Sequence, residues 1–137
     1  MSSNQQELDA PLRGRRVLIV EDEWLVAMEL QALLEQHGCT VLGPVKSGAH
    51  ALALLDHERP DAALLDLNLN GQRSTLVALA LSAQQVPFLL VTGYGEAAAT
   101  EPELRAASLV AKPVNHRQLI RLLSEMVSKI ENGDCTK

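Results

Sequence analysis

The sequence is poor in aromatic residues and contains no long hydrophobic run. Trp24, Phe88 and Tyr94 make up 2% of 137 residues. Proteins that bind single-stranded nucleic acid stack bases on aromatic side chains, so this composition argues against that class. No apolar stretch approaches the roughly 20 residues that cross a bilayer. The polar N-terminal residues do not resemble a secretory signal peptide. We therefore expect no membrane association.

Cysteine and positive charge are also scarce. Cys39 and Cys135 lack the short spacing of metal or redox motifs. Twelve Lys and Arg residues against seventeen Asp and Glu give a net charge of -5. Proteins that bind nucleic acid without sequence preference carry the opposite sign. We therefore expect no direct nucleic-acid binding, and a location in the reducing cytoplasm.

The remaining composition is that of one globular domain. Hydrophobic residues make up 47% and charged residues 21% of the chain, which is typical of a folded protein of this length. Polar residues without periodicity occur at both ends. We expect a flexible N-terminal tail over 1–14, a folded domain over 15–131 and a C-terminal tail over 132–137.

Short apolar runs alternate with segments of helical periodicity. The strands are predicted at Arg16–Val20, Thr40–Gly43, Ala62–Asp66, Phe88–Thr92 and Ser108–Ala111. The helices are predicted at about 24–37, 47–58, 74–84, 97–106 and 115–130. Strands that alternate with helices pair in parallel through right-handed crossovers. The sequence therefore predicts an α/β fold with a five-stranded parallel sheet and five surrounding helices.

Chemically active side chains follow four of these strands. The first strand leads into Glu21-Asp22-Glu23, the third ends at Asp66, the fourth ends at Thr92, and Lys112-Pro113 follows the fifth. Ligands of such sheets bind at the carboxyl ends of the strands. Carboxylates that meet there stay ionised only beside a cation, and hard oxygen ligands suit Mg²⁺. A lysine and a hydroxyl at the same edge suit the oxygens of a phosphoryl group.

Four motifs, in their order along the chain, resemble those of the response-regulator receiver domain of two-component signalling. The fold of that domain is the fold of the chemotaxis regulator. The motifs are Val20-Glu21-Asp22-Glu23, Leu64-Leu65-Asp66-Leu67-Asn68, Val91-Thr92-Gly93 and Ala111-Lys112-Pro113. The resemblance covers about residues 15–130. It implies a flavodoxin-like sheet with strand order 2-1-3-4-5.

The resemblance also implies a metal site and a phosphoryl-binding site. Glu21, Asp22 and Asp66 would hold Mg²⁺ together with the backbone carbonyl of Asn68. Asp66 would be the phosphoryl acceptor, Thr92 would donate a hydrogen bond to the phosphoryl group, and Lys112 would pair with one of its oxygens. The Lys112–Pro113 peptide would be cis.

A protein of this kind accepts a phosphoryl group from a sensor histidine kinase or a histidine phosphotransfer protein. It catalyses only its own phosphorylation and dephosphorylation, and it is a signalling protein rather than a metabolic enzyme. No output domain follows Lys112-Pro113, so we expect a single-domain regulator that signals to, or competes for, an unidentified protein.

Two positions depart from the common family pattern. The family usually has Tyr or Phe three residues before the lysine, where this sequence has Leu109. Thr92 is followed by Gly93 and Tyr94, which resembles a receiver subgroup with a Thr-Gly-Tyr-like segment. We therefore expect the switch to act through reordering of the Ala-rich helix predicted at 97–106, which has few apolar anchors.

Two other functions compete with this interpretation. An aspartate-nucleophile phosphatase would need a second Asp two residues after Asp66, and Asn68 stands there. A pseudo-receiver binds partners without being phosphorylated. It would not need the complete set of polar residues at the strand ends, which are Glu21, Asp22, Asp66, Thr92 and Lys112. Among the neighbouring residues, Glu23 is interpreted as an acidic first turn of a helix, and Trp24 as partial packing.

Overall fold

The computed structural model describes residues 10–69, 71–93 and 108–131. Within them lie five principal strands and four α-helices. The strands are β1 (Arg16–Val20), β2 (Thr40–Val45), β3 (Ala62–Asp66), β4 (Phe88–Thr92) and β5 (Ser108–Ala111). The helices are α1 (Trp24–Gln36), α2 (Gly48–Leu55), α3 (Thr75–Ala83) and α4 (His116–Glu131).

The five strands form one parallel sheet in the order β2-β1-β3-β4-β5. This order confirms the predicted flavodoxin-like fold. It places β3 at the centre, between β1 and β4, so the carboxyl end of β3 is flanked on both sides. The helix predicted at 97–106 lies outside the described residues, as do the predicted tail segments 1–9 and 132–137.

Alternate side chains of β1 pack into two separate cores, one on each face of the sheet. Val17 and Ile19 belong to the core that includes residues of α1 and α4. Leu18 and Val20 belong to the core that includes residues of α2 and α3. Successive side chains of a strand point to opposite faces, so the near-continuous apolar strands are explained by burial on both sides.

Strand β2 is longer than predicted. Pro44 predicts an end at Gly43, but the strand continues to Val45. Proline lacks an N–H donor and is tolerated on edge strands, and β2 is an edge of the sheet. The register against β1 shifts between Leu18 and Val20, and Gly43 has a φ of +89°, which favours glycine.

The N-terminal boundary also differs from the predicted one. Residues Ala10–Leu12 form a short 3-10 helix, whereas the polar sequence without periodicity predicts a flexible tail over 1–14. Leu12 is fully buried in the core that contains Leu119 and Leu123 of α4. The folded unit therefore begins before Arg15, because an apolar side chain of this segment completes the core beneath α4.

Two local features lie between the principal strands and helices. Ser47 caps α2, since its hydroxyl accepts a hydrogen bond from the His50 N–H at 3.1 Å. An antiparallel hairpin of Asn68–Leu69 with Gln72–Arg73 follows β3 and was not predicted. In the described part of the chain, no helix is both long and apolar enough to cross a membrane.

Candidate functional site

The carboxyl ends of β1, β3 and β5 bring distant polar residues together. Asp66 is the last residue of β3, and Glu21 and Asp22 follow β1 directly. Lys112 follows β5. The convergence arises because all strands of a parallel sheet end at the same edge. The sequence thus predicted the grouping of these four residues, and the structure confirms the grouping.

The Lys112 ammonium contacts three carboxylates. Its Nζ atom lies 3.2 Å from Asp66 Oδ2, 3.3 Å from Glu21 Oε2 and 2.9 Å from Glu23 Oε1. An ammonium group has three N–H donors, so these contacts engage all of them. The Lys112 side chain is only 16% exposed, and its charge is therefore balanced by carboxylates more than by water.

Glu21, Asp22 and Asp66 form an acidic cluster. Each offers a carboxylate oxygen, and the three oxygens all lie within 4.8 Å of one another. Glu21 is 1% exposed and Asp66 is 3% exposed. Among the described residues, the buried Oε1 atom of Glu21 has no hydrogen-bond partner. Such an atom costs free energy unless something satisfies it, and a hard divalent cation with oxygen ligands would do so.

Burial sets the protonation of this cluster. Burial, followed by the contact with Asp66, raises the pKa of Glu21 to about 8, although the Glu23 N–H and Lys112 oppose the rise. Burial also raises the pKa of Asp66, although Glu21, the Asn68 N–H and Lys112 oppose the rise. Burial lowers the pKa of Lys112, but the surrounding carboxylates outweigh it and raise that pKa well above its usual range. Without a cation, Glu21 is therefore mostly protonated at neutral pH, while Lys112 is charged.

Backbone hydrogen bonds hold the carboxylates in place. The Asn68 N–H donates to Asp66 Oδ1 at 3.1 Å, and the Glu23 N–H donates to Glu21 Oε2 at 2.9 Å. The Glu21 N–H itself donates to the Val45 carbonyl at 2.9 Å. Both buried carboxylates are therefore oriented by the turns that follow their strands.

The remaining predicted residues lie at the same edge. Thr92 is the last residue of β4 and half-buried, and its carbonyl accepts a hydrogen bond from the Lys112 N–H at 2.8 Å. The Lys112–Pro113 peptide is cis, as predicted. The roles of the Thr92 hydroxyl and of the Asn68 carbonyl stay predictions. Tyr94 lies outside the described residues, and Leu109 on β5 is 42% exposed.

Glu23 is a site residue that the sequence pattern does not identify. The pattern predicts a charge in the first turn of a helix, but the Glu23 carboxylate contacts Lys112. It is the N-cap residue of α1 and makes no side-chain cap hydrogen bond. Its position directly after Glu21 and Asp22 is the one feature of the sequence that could have indicated a role in the site. The contact with Lys112 is visible only in the folded structure.

Residues 17–124 match the family model of the response regulator receiver domain. The chain belongs to this family. This receiver domain is 33% identical over 123 residues to the phyllosphere-induced regulator PhyR of Methylorubrum extorquens, a match that covers 88% of this chain and 46% of PhyR. The chain thus spans about half the length of such curated relatives.

Solved structures are also similar to this chain. The solution structure of SdrG from Sphingomonas melonis Fr1 matches with a TM-score of 0.74 and 36% identity, over 83% of this chain and 97% of SdrG. The receiver domain of the sensor histidine kinase PA1611 from Pseudomonas aeruginosa PAO1 matches with a TM-score of 0.72 and 26% identity, over 84% of this chain and 98% of that one. That crystal structure has a magnesium ion coordinated in its active-site cleft.

Proposed function

We propose that this receiver domain accepts a phosphoryl group on Asp66, in a Mg²⁺-dependent transfer from the phosphohistidine of a sensor histidine kinase or a histidine phosphotransfer protein. One observation carries the proposal. A buried carboxylate at the end of the central strand lies 3.2 Å from a charged lysine and within 4.8 Å of two further carboxylates. This is the set of charges that phosphoryl transfer to a carboxylate needs.

Glu21, Asp22 and Asp66 would hold the metal ion, with the Asn68 carbonyl as a further ligand. The donor chemistry fits Mg²⁺, because all are hard oxygen ligands and Glu21 Oε1 is buried without a partner among the described residues. When bound, Mg²⁺ would neutralise carboxylate charge and stabilise negative charge on the phosphoryl oxygens. The Mg²⁺ in the receiver domain of PA1611 supports this assignment.

The protein side chains perform the remaining steps. An oxygen of ionised Asp66 forms a bond to phosphorus while the bond from phosphorus to the donor's ring nitrogen breaks, and that nitrogen keeps the electron pair. Lys112 donates a hydrogen bond to a phosphoryl oxygen, and the Thr92 hydroxyl donates to another. Water later attacks the phosphorus atom, the bond from phosphorus to the Asp66 oxygen breaks, and inorganic phosphate leaves the restored Asp66 carboxylate.

The new phosphoryl group would act as the signal. It adds roughly -1.5 to -2 charges at neutral pH beside Lys112 and Thr92, and their movement toward it would bias a two-state element. A downstream protein would recognise the changed surface. The cytoplasmic location and the single-domain organisation remain predictions from the sequence.

Intact-mass measurement after incubation with acetyl phosphate tests the function. We expect one phosphoryl adduct in the presence of Mg²⁺, stable in acid and labile in base, and no adduct in the Asp66→Asn variant. An adduct with the stability of phosphoserine or phosphohistidine would contradict the proposal. Continuous turnover of a small phosphate ester would indicate the phosphatase instead, and complete absence of the adduct would indicate the pseudo-receiver.

A further inference from the structure

We propose that Glu23 is a positioning residue that holds Lys112 before phosphorylation and releases it when Lys112 binds the phosphoryl group. The inference rests on the proposed phosphoryl transfer to Asp66. It begins from the three carboxylates around the Lys112 ammonium, of which the Glu23 contact, at 2.9 Å, is the shortest.

Lys112 has no spare donor in this arrangement. Its three N–H groups are matched by Glu21, Glu23 and Asp66. A hydrogen bond to a phosphoryl oxygen therefore requires that one of these contacts break. The phosphoryl group would be attached to Asp66 itself, so Lys112 would keep its place near that residue and exchange one of the other two partners.

Of the two partners, Glu23 is the one whose release costs less free energy. Its side chain is 60% exposed, whereas that of Glu21 is 1% exposed. A released Glu23 carboxylate would be hydrated by water, whereas the carboxyl group of Glu21 is buried and would lose the Lys112 N–H without gaining water in its place. The backbone bond from the Glu23 N–H to Glu21 Oε2 also holds Glu21 in place independently of the Glu23 side chain.

The position of Glu23 on α1 supports a role beyond helix capping. N-cap side chains usually accept hydrogen bonds from the first turn of their helix, but Glu23 makes no such bond. Its carboxylate accepts a hydrogen bond from Lys112 instead. Glu23 thus links the start of α1 to the loop after β5.

The contact competes with the phosphoryl group for Lys112, so its removal should speed phosphorylation. We expect Glu23→Gln to raise the rate of adduct formation from acetyl phosphate by roughly two- to fivefold, the range that an exposed ion pair supports. Glu35→Gln is the matched control, because Glu35 is an exposed residue of the same helix whose carboxylate accepts a bond from Gln31. It should leave the rate unchanged.

Glu23→Asp separates the contact from the charge. Aspartate keeps the negative charge but is one methylene shorter, so it would lose the contact with Lys112. We expect it to react as fast as Glu23→Gln. If Glu23→Asp reacts at the wild-type rate, charge at the mouth of the site is responsible and the positioning role is overturned. A wild-type or slower rate in Glu23→Gln also overturns it.

A second measurement does not depend on phosphorylation. Urea unfolding of Glu23→Gln, Lys112→Met and the double variant should give non-additive changes in stability, because the two residues are in contact. Additive changes overturn the inference. If wild-type protein gains no adduct, or Asp66→Asn gains one, the proposed function fails. If Asp66 is labelled normally but the Glu23 variants match the wild type, only the positioning role fails.

Discussion

The Lys112 Nζ atom lies 3.2 Å from Asp66 Oδ2, although the two residues are 46 positions apart in the sequence. Asp66 is the last residue of β3 and Lys112 follows β5, and β4 lies between these two strands in the sheet. The contact keeps a positive charge beside a buried carboxylate. It opposes the rise in the Asp66 pKa that burial causes, and it keeps the proposed nucleophile closer to its ionised form.

Replacement of Lys112 by methionine should slow phosphorylation of Asp66 strongly. Methionine keeps much of the side-chain volume but supplies no positive charge and no N–H donor. Loss of one such donor typically costs roughly a hundredfold or more in rate. The rate of adduct formation from acetyl phosphate, followed by intact mass, checks this.

Lys129→Met is the control, since Lys129 lies in the last turn of α4. It removes the same charge and should leave the rate unchanged. A Lys112→Met variant that reacts at the wild-type rate would show that Lys112 does not stabilise the transferring phosphoryl group.

Stabilisation of the protein by Mg²⁺ should increase with pH. The pKa of Glu21 is raised to about 8 from its ordinary value of 4.5. Its raised value favours the protonated form of the folded state, so without metal the folded state loses stability as pH rises from about 4.5 through about 8. Mg²⁺ needs the ionised form, and its binding should therefore strengthen over the same interval.

Thermal unfolding with and without Mg²⁺ at several pH values between about 6 and 8.5 checks this linkage. The Tm without metal should fall, and the rise in Tm caused by Mg²⁺ should grow. In Glu21→Gln, which does not titrate, the fall without metal should be smaller. A Mg²⁺ effect that is independent of pH would contradict the assignment of Glu21 as a metal ligand.

Leu12→Ala should destabilise the protein by roughly 2–5 kcal/mol, the usual cost of removing a buried leucine side chain. Leu12 is fully buried in the core that contains residues of α4. Urea unfolding measures the change. Leu25→Ala is the matched control, because Leu25 is 73% exposed on α1 and should change stability little. Equal stability of Leu12→Ala and wild type would place Leu12 in a flexible tail after all.

The sheet and the grouping of the site were predictable because both depend on strong patterns. Apolar strands buried on two faces have few polar interruptions, and helices such as α4 show a clear 3.6-residue period. Once the strands were placed, the fact that they all run in parallel brought Glu21, Asp22, Asp66 and Lys112 to one edge.

Other features depend on packing that a local pattern does not contain. Leu12 is one apolar residue between Pro11 and Gly14, and a single residue has no periodicity. A proline usually marks the end of a strand. The place of Pro44 within β2 is explained only by the edge position of that strand. The Glu23–Lys112 contact joins two residues whose separation of 89 positions hides their proximity.

Peptide mapping after sodium borohydride reduction tests the central claim most directly. Borohydride reduces an acyl phosphate of aspartate to homoserine and leaves a free carboxylate unchanged. After incubation with acetyl phosphate and Mg²⁺, we expect conversion at Asp66 and at no other acidic residue. Conversion at Glu21, Asp22 or Glu23, or no conversion at all under conditions that give a phosphoryl adduct, would contradict Asp66 as the acceptor.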